Sequence, residues 1–128
     1  MTVTKQLSVM VENKRGALAG LCSKLAAKAV NIVGLMVPEQ TGVAPIRLVV
    51  NNPDTARKVL EEMGLKFTED DVLEVHVSNR PGALGKLTRK LADHELDVKY
   101  AYATIQKGVD KATVILAPSD PAAAAKLL

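Results

Sequence analysis

Aromatic residues are nearly absent: Phe67, Tyr100 and Tyr102 are the only three, and there is no tryptophan. Functions that need flat rings as stacking platforms, single-stranded nucleic-acid binding first among them, have little to build on. A single cysteine, Cys22, excludes an intramolecular disulfide and any Cys-x-x-Cys redox or metal motif. No run approaches the roughly 20 apolar residues that span a bilayer. The opening Met-Thr-Val-Thr-Lys-Gln lacks the charged-then-apolar layout of a secretion signal. A cytoplasmic protein with no membrane partner is the expectation. An excess of one charge is missing too: 17 basic and 14 acidic residues leave a net +3, with no basic run longer than two. That balance predicts solubility and says little about partners.

What is present is aliphatic and is written twice. Hydrophobic residues make up 48% of the chain and charged ones 24%, enough for a globular core of Val, Leu, Ile, Ala and Met. Residues 7–27, Leu-Ser-Val-Met-Val-Glu-Asn-Lys-Arg-Gly-Ala-Leu-Ala-Gly-Leu-Cys-Ser-Lys-Leu-Ala-Ala, recur without a gap at 73–93 as Leu-Glu-Val-His-Val-Ser-Asn-Arg-Pro-Gly-Ala-Leu-Gly-Lys-Leu-Thr-Arg-Lys-Leu-Ala-Asp. The offset of 66 residues, from Gly16 to Gly82, points to two modules, 1–69 and 70–128. Each alone buries a limited share of its surface, so mutual packing or dimerisation is expected.

Leu7, Val9 and Val11 alternate with Ser8, Met10 and Glu12, the pattern of a strand with one face on a core. Leu18, Leu21, Cys22, Leu25 and Ala29 then fall at helical spacing, which makes Cys22 a small core residue. Val30 to Val37 reads as a second strand, ended by Pro38 and the turn signals Gln40-Thr41-Gly42, and Ile46 to Val50 as a central one. A helix follows Asn52-Pro53, with Ala56, Val59, Leu60 and Met63 on one face and Gly64 past its end. Lys66 to Thr68 makes a short last strand, and Asp70-Asp71 reads as a polar joint. The second module repeats this order with Leu73, Val75 and Val77, then Leu84, Leu87 and Leu91. Val98 to Ile105, the turn Lys107-Gly108-Val109-Asp110, Ala112 to Leu116 and a helix through Ala122 to Leu128 complete it. The expected fold class is α+β, β-α-β-β-α-β twice, with antiparallel sheets, helices on one face, and a second copy lacking its last strand. A sheet edge left open in that way is normally covered.

In both copies a strand ends in Asn-x-x-Gly and a helix begins at once. Glycine opens a backbone conformation closed to other residues, and the Asn side chain can accept from the helix's first N–H groups. The remaining donors sit at the positive end of a helix dipole, which suits a carboxylate or phosphate. The same turn also serves as a plain structural cap, and the turn alone does not separate the two uses.

These residues resemble the ACT domain family. Leu-Ser-Val-Met-Val-Glu-Asn-Lys-Arg-Gly-Ala-Leu with Ala-Val-Asn-Ile-Val-Gly-Leu-Met-Val is similar to the first half of such a domain, and so is Leu-Glu-Val-His-Val-Ser-Asn-Arg-Pro-Gly-Ala-Leu with Leu-Asp-Val-Lys-Tyr-Ala-Tyr-Ala. The resemblance, closest to stand-alone proteins made of two ACT domains, implies ferredoxin-like modules whose sheets pair side by side. It implies a free amino acid as ligand, bound at the interface between modules, and a homodimer. Carried over, the first module offers Asn13, Arg15, Gly16, Ala17 and Leu18 in the turn, with Asn31 and Ile32 at the second strand. The second offers Asn79, Pro81, Gly82, Ala83 and Leu84, with Asp97 and Val98. Arg15 stands where the family has Pro, and Asp97 where it has Asn. Asp97 attracts an ammonium and repels a carboxylate, so the two half-sites are unequal.

No catalytic residue, cofactor or metal is expected. His76 faces away from Val75 and Val77, and His94 sits at a helix end, where the dipole favours a cation. An aromatic from Tyr100 or Tyr102 lines or fills the interface. An RNA-binding reading of the same plan lacks rings on the central strands, which carry Leu48, Val49 and Val50 or Val114, Ile115 and Leu116. The rival within the family is a regulatory subunit that grips an amino-acid biosynthetic enzyme, as the small subunits of acetolactate synthase do.

Overall fold

The computed structural model describes residues 2–12, 14–39 and 43–128; Asn13 and the turn signals Gln40-Thr41-Gly42 lie outside the described residues. Its elements are β1 (Thr2–Glu12), α1 (Ala17–Ala27), β2 (Ile32–Met36), β3 (Val43–Val50), α2 (Pro53–Glu62), β4 (Phe67–Ser78), α3 (Ala83–Asp93), β5 (Val98–Thr104), β6 (Lys111–Pro118) and α4 (Pro121–Leu127). Contacts divide the chain into one unit of Lys5–Asp70 and another of Asp71–Leu128, the latter joined by the first residues of β1, Thr2–Thr4. Among the described residues no helix is long and apolar enough to cross a membrane.

In the unit of Lys5–Asp70 the strands run in the order β2, β3, β1 and then the start of β4. β1 lies antiparallel to β3, with Leu7 opposite Leu48 and Val9 opposite Ile46. The Met10 N–H donates to the Lys66 carbonyl at 2.8 Å as the pairing with β4 begins. Because alternate strand residues share a face, Leu7, Val9 and Val11 join Ile46, Leu48 and Val50 in one cluster with Leu21 and Leu25 of α1 and Ala56, Val59 and Leu60 of α2. Both helices therefore cover the same face of this unit's sheet. Asn52 caps α2 by accepting from the Thr55 N–H at 3.2 Å, and Pro53 opens the helix where no N–H is missed. Arg57 reaches both Asp54 and Glu69, tying α2 to β4. Cys22 is half-buried and stands outside the cluster, and Ala29 is exposed, so the apolar stripe of α1 is narrower than its sequence spacing implies.

The other unit repeats the plan in the order β5, β6, β4, with Leu73 opposite Leu116 and Val75 opposite Val114. Leu73, Val75, Val114 and Leu116 pack with Leu91 of α3 and Ala124 of α4. Thr2–Thr4 of β1 belong here, on the free side of β4, where the repeat leaves its fourth strand unwritten. Asp70 and Asp71 are strand residues in the middle of β4 rather than a joint. Both are exposed, and the backbone keeps its ladder through them.

Helix ends follow one scheme. The N–H of Val30 donates to the Leu25 carbonyl, Leu65 to Leu60, and Leu96 to Leu91, each at 3.0 Å, which closes α1, α2 and α3 in Schellman turns. The residue before each of these donors is left-handed: Gly64 at φ 70°, but Ala29 and Glu95 at φ 58°. A left-handed residue with a Cβ costs about 1–2 kcal/mol. Ala29→Gly and Glu95→Gly are each expected to raise stability by about 0.5–1 kcal/mol, measured as a higher denaturant midpoint with an unchanged slope.

Candidate functional site

Two backbone hydrogen bonds recur in both copies of the turn. Lys14 N–H donates to Glu12 and Ala17 to Lys14, at 2.9 and 3.2 Å; Arg80 donates to Ser78 and Ala83 to Arg80, at 2.9 and 3.3 Å. Gly16 and Gly82 are the N-caps of α1 and α3, at φ 86°, ψ −9° and φ 89°, ψ −13°. Arg15 in place of Pro81 leaves this geometry unchanged. A Cβ at either glycine would meet nothing within 4 Å, so the requirement for glycine is purely one of backbone angle.

Neither helix start has a side-chain cap, and neither has an acidic residue in its first turn. The expectation that Asn79 caps α3 is corrected by its bonds. Its Nδ2 donates to the carbonyls of Val109 at 2.9 Å and Gln106 at 3.2 Å, and its backbone N–H donates to Asp110 at 2.8 Å. The physical reason is position: the N-cap is Gly82, and Asn79 stands three residues upstream, where it meets the β5–β6 hairpin instead. The uncapped N–H groups and positive dipole ends of α1 and α3 remain suited to an anion.

The strand-start residues lie elsewhere. The Asn31 N–H donates to Asn51 Oδ1 at 2.9 Å, and the Asp97 N–H to Ser119 Oγ at 3.1 Å. Both N–H groups are thus engaged within their own unit, while the Asn31 and Asp97 residues are exposed. In the first unit Ile32 pairs with Val50 whereas Glu12, beside the turn, pairs with Val43. In the second, Val98 pairs with Pro118 whereas Ser78 pairs with Lys111. Seven strand positions separate the two levels in each case, which is about 23 Å at the usual strand rise. Within one unit, then, Arg15, Gly16, Ala17 and Leu18 come together, and so do Asn79, Pro81, Gly82, Ala83 and Leu84. Asn31 with Ile32, and Asp97 with Val98, stand at the opposite ends of those sheets.

Ala17, Leu18 and Ile32 are half-buried against the core of their unit, while Leu84 is 46% exposed at the first turn of α3. A shallow pocket beside the first turn is lined by Val11, Glu12, Lys14, Ala17, Leu18, Val37 and Ile46. At the second turn a polar cleft of about 580 Å³ is bounded by Ser78, Asn79 and Arg80 on one side and Gly108, Val109, Asp110 and Lys111 on the other. Sequence reading treats Lys107-Gly108-Val109-Asp110 as a hairpin and nothing more. The signal that finds the cleft is the pairing of the two strands, which sets Lys111 opposite Ser78.

His76 is exposed, with Nε2 3.3 Å from Glu74 Oε2 and Nδ1 3.2 Å from Thr113 Oγ1. His94 Nδ1 lies 2.9 Å from the Lys90 carbonyl at the end of α3. Among the described residues no group of three His, Cys, Asp or Glu side chains is placed to hold a metal ion.

The fold is that of protein BT0572 from Bacteroides thetaiotaomicron, with a TM-score of 0.91 and 30% identity over 98% of this chain and 86% of that one. It also resembles the ligand-free regulatory subunit of aspartate kinase from Thermus thermophilus, with a TM-score of 0.73 and 14% identity over 96% and 88% of the two chains. A stretch of 54 residues is 41% identical to the large ribosomal subunit protein uL30 of Staphylococcus carnosus, spanning 41% of this chain and 86% of that protein. The model of the ACT domain pair matches residues 1–126, almost the whole length and both copies of the turn. The chain belongs to the ACT domain pair family.

Proposed function

We propose that this protein is a non-catalytic regulator that binds a free amino acid, with each half-site built from one repeated turn and the strand start of a facing module. The observation that carries this reading is the doubled, uncapped helix start: Gly16 and Gly82 share one conformation, and neither first turn supplies its own counter-charge. A carboxylate at those N–H groups gains hydrogen bonds and dipole attraction together. Because a turn and its own strand start lie about 23 Å apart, a ligand held by both needs a second module. A second copy of the chain supplies one through the edge strand β2, whose Val33 and Leu35 are 42% and 40% exposed and which carries no charge. The homodimer follows from that edge.

A thermal-shift screen of the twenty amino acids tests the proposal. At 100 times its dissociation constant a ligand stabilises by roughly 2.7 kcal/mol, so at least one amino acid is expected to raise the melting temperature by several degrees at millimolar concentration. No shift with any of them would count against amino-acid binding.

A second reading is a subunit that holds an amino-acid biosynthetic enzyme, supported by the likeness in fold to the aspartate kinase regulatory subunit. Gel filtration with cell extract separates the two: co-elution with such an enzyme supports the subunit, and elution as a dimer alone supports the free-standing sensor. The ribosomal likeness covers less than half of the chain. The central strands β3 and β6 bring Leu48, Val49, Val50, Val114, Ile115 and Leu116 to the interior, none of them a ring for stacking bases.

A further inference from the structure

We propose that the cleft between the second turn and the β5–β6 hairpin is an amino-acid site complete within one unit, in which Arg80 and Lys111 hold the ligand's carboxylate and Asp110 its ammonium. The proposal rests on the reading of the protein as an amino-acid binder. It adds a separate location with its own residues.

The cleft's volume of about 580 Å³ is ample for a free amino acid, and its lining joins two cations, one carboxylate, an amide and a hydroxyl. All seven lining residues belong to the unit of Asp71–Leu128. Its walls are fixed without a ligand, because three hydrogen bonds from Asn79 fasten the hairpin to the turn. Gly108, left-handed at φ 82°, lets the hairpin make its bend. Among the described residues neither Arg80, Asp110 nor Lys111 makes an ion pair, although all three line one cleft. Opposite charges held near each other without closing into a bridge leave both free for a ligand.

The mixture of signs selects the ligand class. A simple anion meets Asp110, and a simple cation meets Arg80 and Lys111. A zwitterion meets complementary charge at both ends, and the planar guanidinium suits its carboxylate. The first copy differs in sequence at the matching positions. There Glu12 stands opposite Val43 as Ser78 stands opposite Lys111, so the counterparts of Asp110 and Lys111 are Gly42 and Val43. The sequence of the first copy thus has neither of these two charges at the matching positions.

Calorimetric titration of the full chain tests this, using whichever of the twenty amino acids raises the melting temperature most. Arg80→Gln combined with Lys111→Gln, and separately Asp110→Asn, are each expected to weaken binding at least about tenfold. Because all three residues are exposed, the ligand-free melting temperature should stay within a degree or two of the parent, about the effect of a surface substitution. Unchanged affinity in both variants overturns the cleft and leaves amino-acid binding elsewhere intact. Tighter binding by Asp110→Asn also overturns it, since that is the response to a plain anion. If no amino acid binds the parent protein, both this site and the broader reading fall.

Discussion

Leu91→Ala lowers the stability of the protein by about 2–5 kcal/mol, a large part of what a domain of this size holds in reserve. Leu91 is fully buried and packs with Leu73, Val75, Val114, Leu116 and Ala124 in the smaller of the two core clusters. The loss has two parts, the apolar area returned to water and the cavity left behind. Its buried partners are few and Ala124 is already small, so the partly buried Val77, Leu87, Leu96, Ala125 and Leu128 around them fill the space only in part. Its counterpart Leu25 lies in a larger cluster that also contains Val59 and Leu60. Leu25→Ala should therefore fall at the lower end of the same range, about 2–3 kcal/mol. Urea denaturation of the two variants checks both the size and the order of the losses.

Removal of residues 2–4 costs the unit of Asp71–Leu128 its fourth strand. Thr2–Thr4 lie on the free side of β4, so the truncation removes ladder hydrogen bonds and lays an edge open. Each ladder bond lost costs about 1 kcal/mol. Hydrogen exchange gives the location: amides of β4 beyond Asp71 lose protection, whereas those of β3 and α2 keep theirs. Equal loss across both units would contradict the assignment of these residues to the second one.

This strand shows where sequence reading stops. The β-α-β-β-α-β order, the inward phase of Leu7, Val9, Leu73 and Val75, and the glycine at each turn were legible because each depends on neighbours within a few residues. The missing strand of the second copy was legible as a vacancy, but its occupant comes from the far end of the chain, and no local pattern in Thr2–Thr4 announces that. Asp70-Asp71 has the composition of a joint, yet the pairing of β4 with distant strands carries the backbone straight through it. The site divides in the same way. The uncapped helix starts follow from Asn-x-x-Gly and its surroundings, whereas the attachment of Asn79 to Gln106 and Val109 depends on how a strand and a hairpin far apart in sequence come into register.

The copies are alike in backbone and unlike in what surrounds them. Gly16 and Gly82 take nearly the same backbone angles although Arg15 precedes one and Pro81 the other. The hairpin beside the second turn carries Asp110 and Lys111, where the sequence of the first copy has Gly42 and Val43. A duplicated element has kept the backbone angles of its glycine while the sequence around it has diverged.

The central claim is that an amino acid binds where the repeated turns present their helix starts. The most direct measurement repeats the thermal-shift screen on the parent protein, Gly16→Ala, Gly82→Ala and the double variant. Each substitution places a Cβ in open space and costs about 1–2 kcal/mol through its positive φ, so the fold persists while the turn is distorted. The account predicts a ligand-dependent shift in the parent that shrinks in each single variant and further in the double one, which keeps only what the cleft beside the β5–β6 hairpin contributes. A double variant that responds to amino acids as strongly as the parent would contradict it.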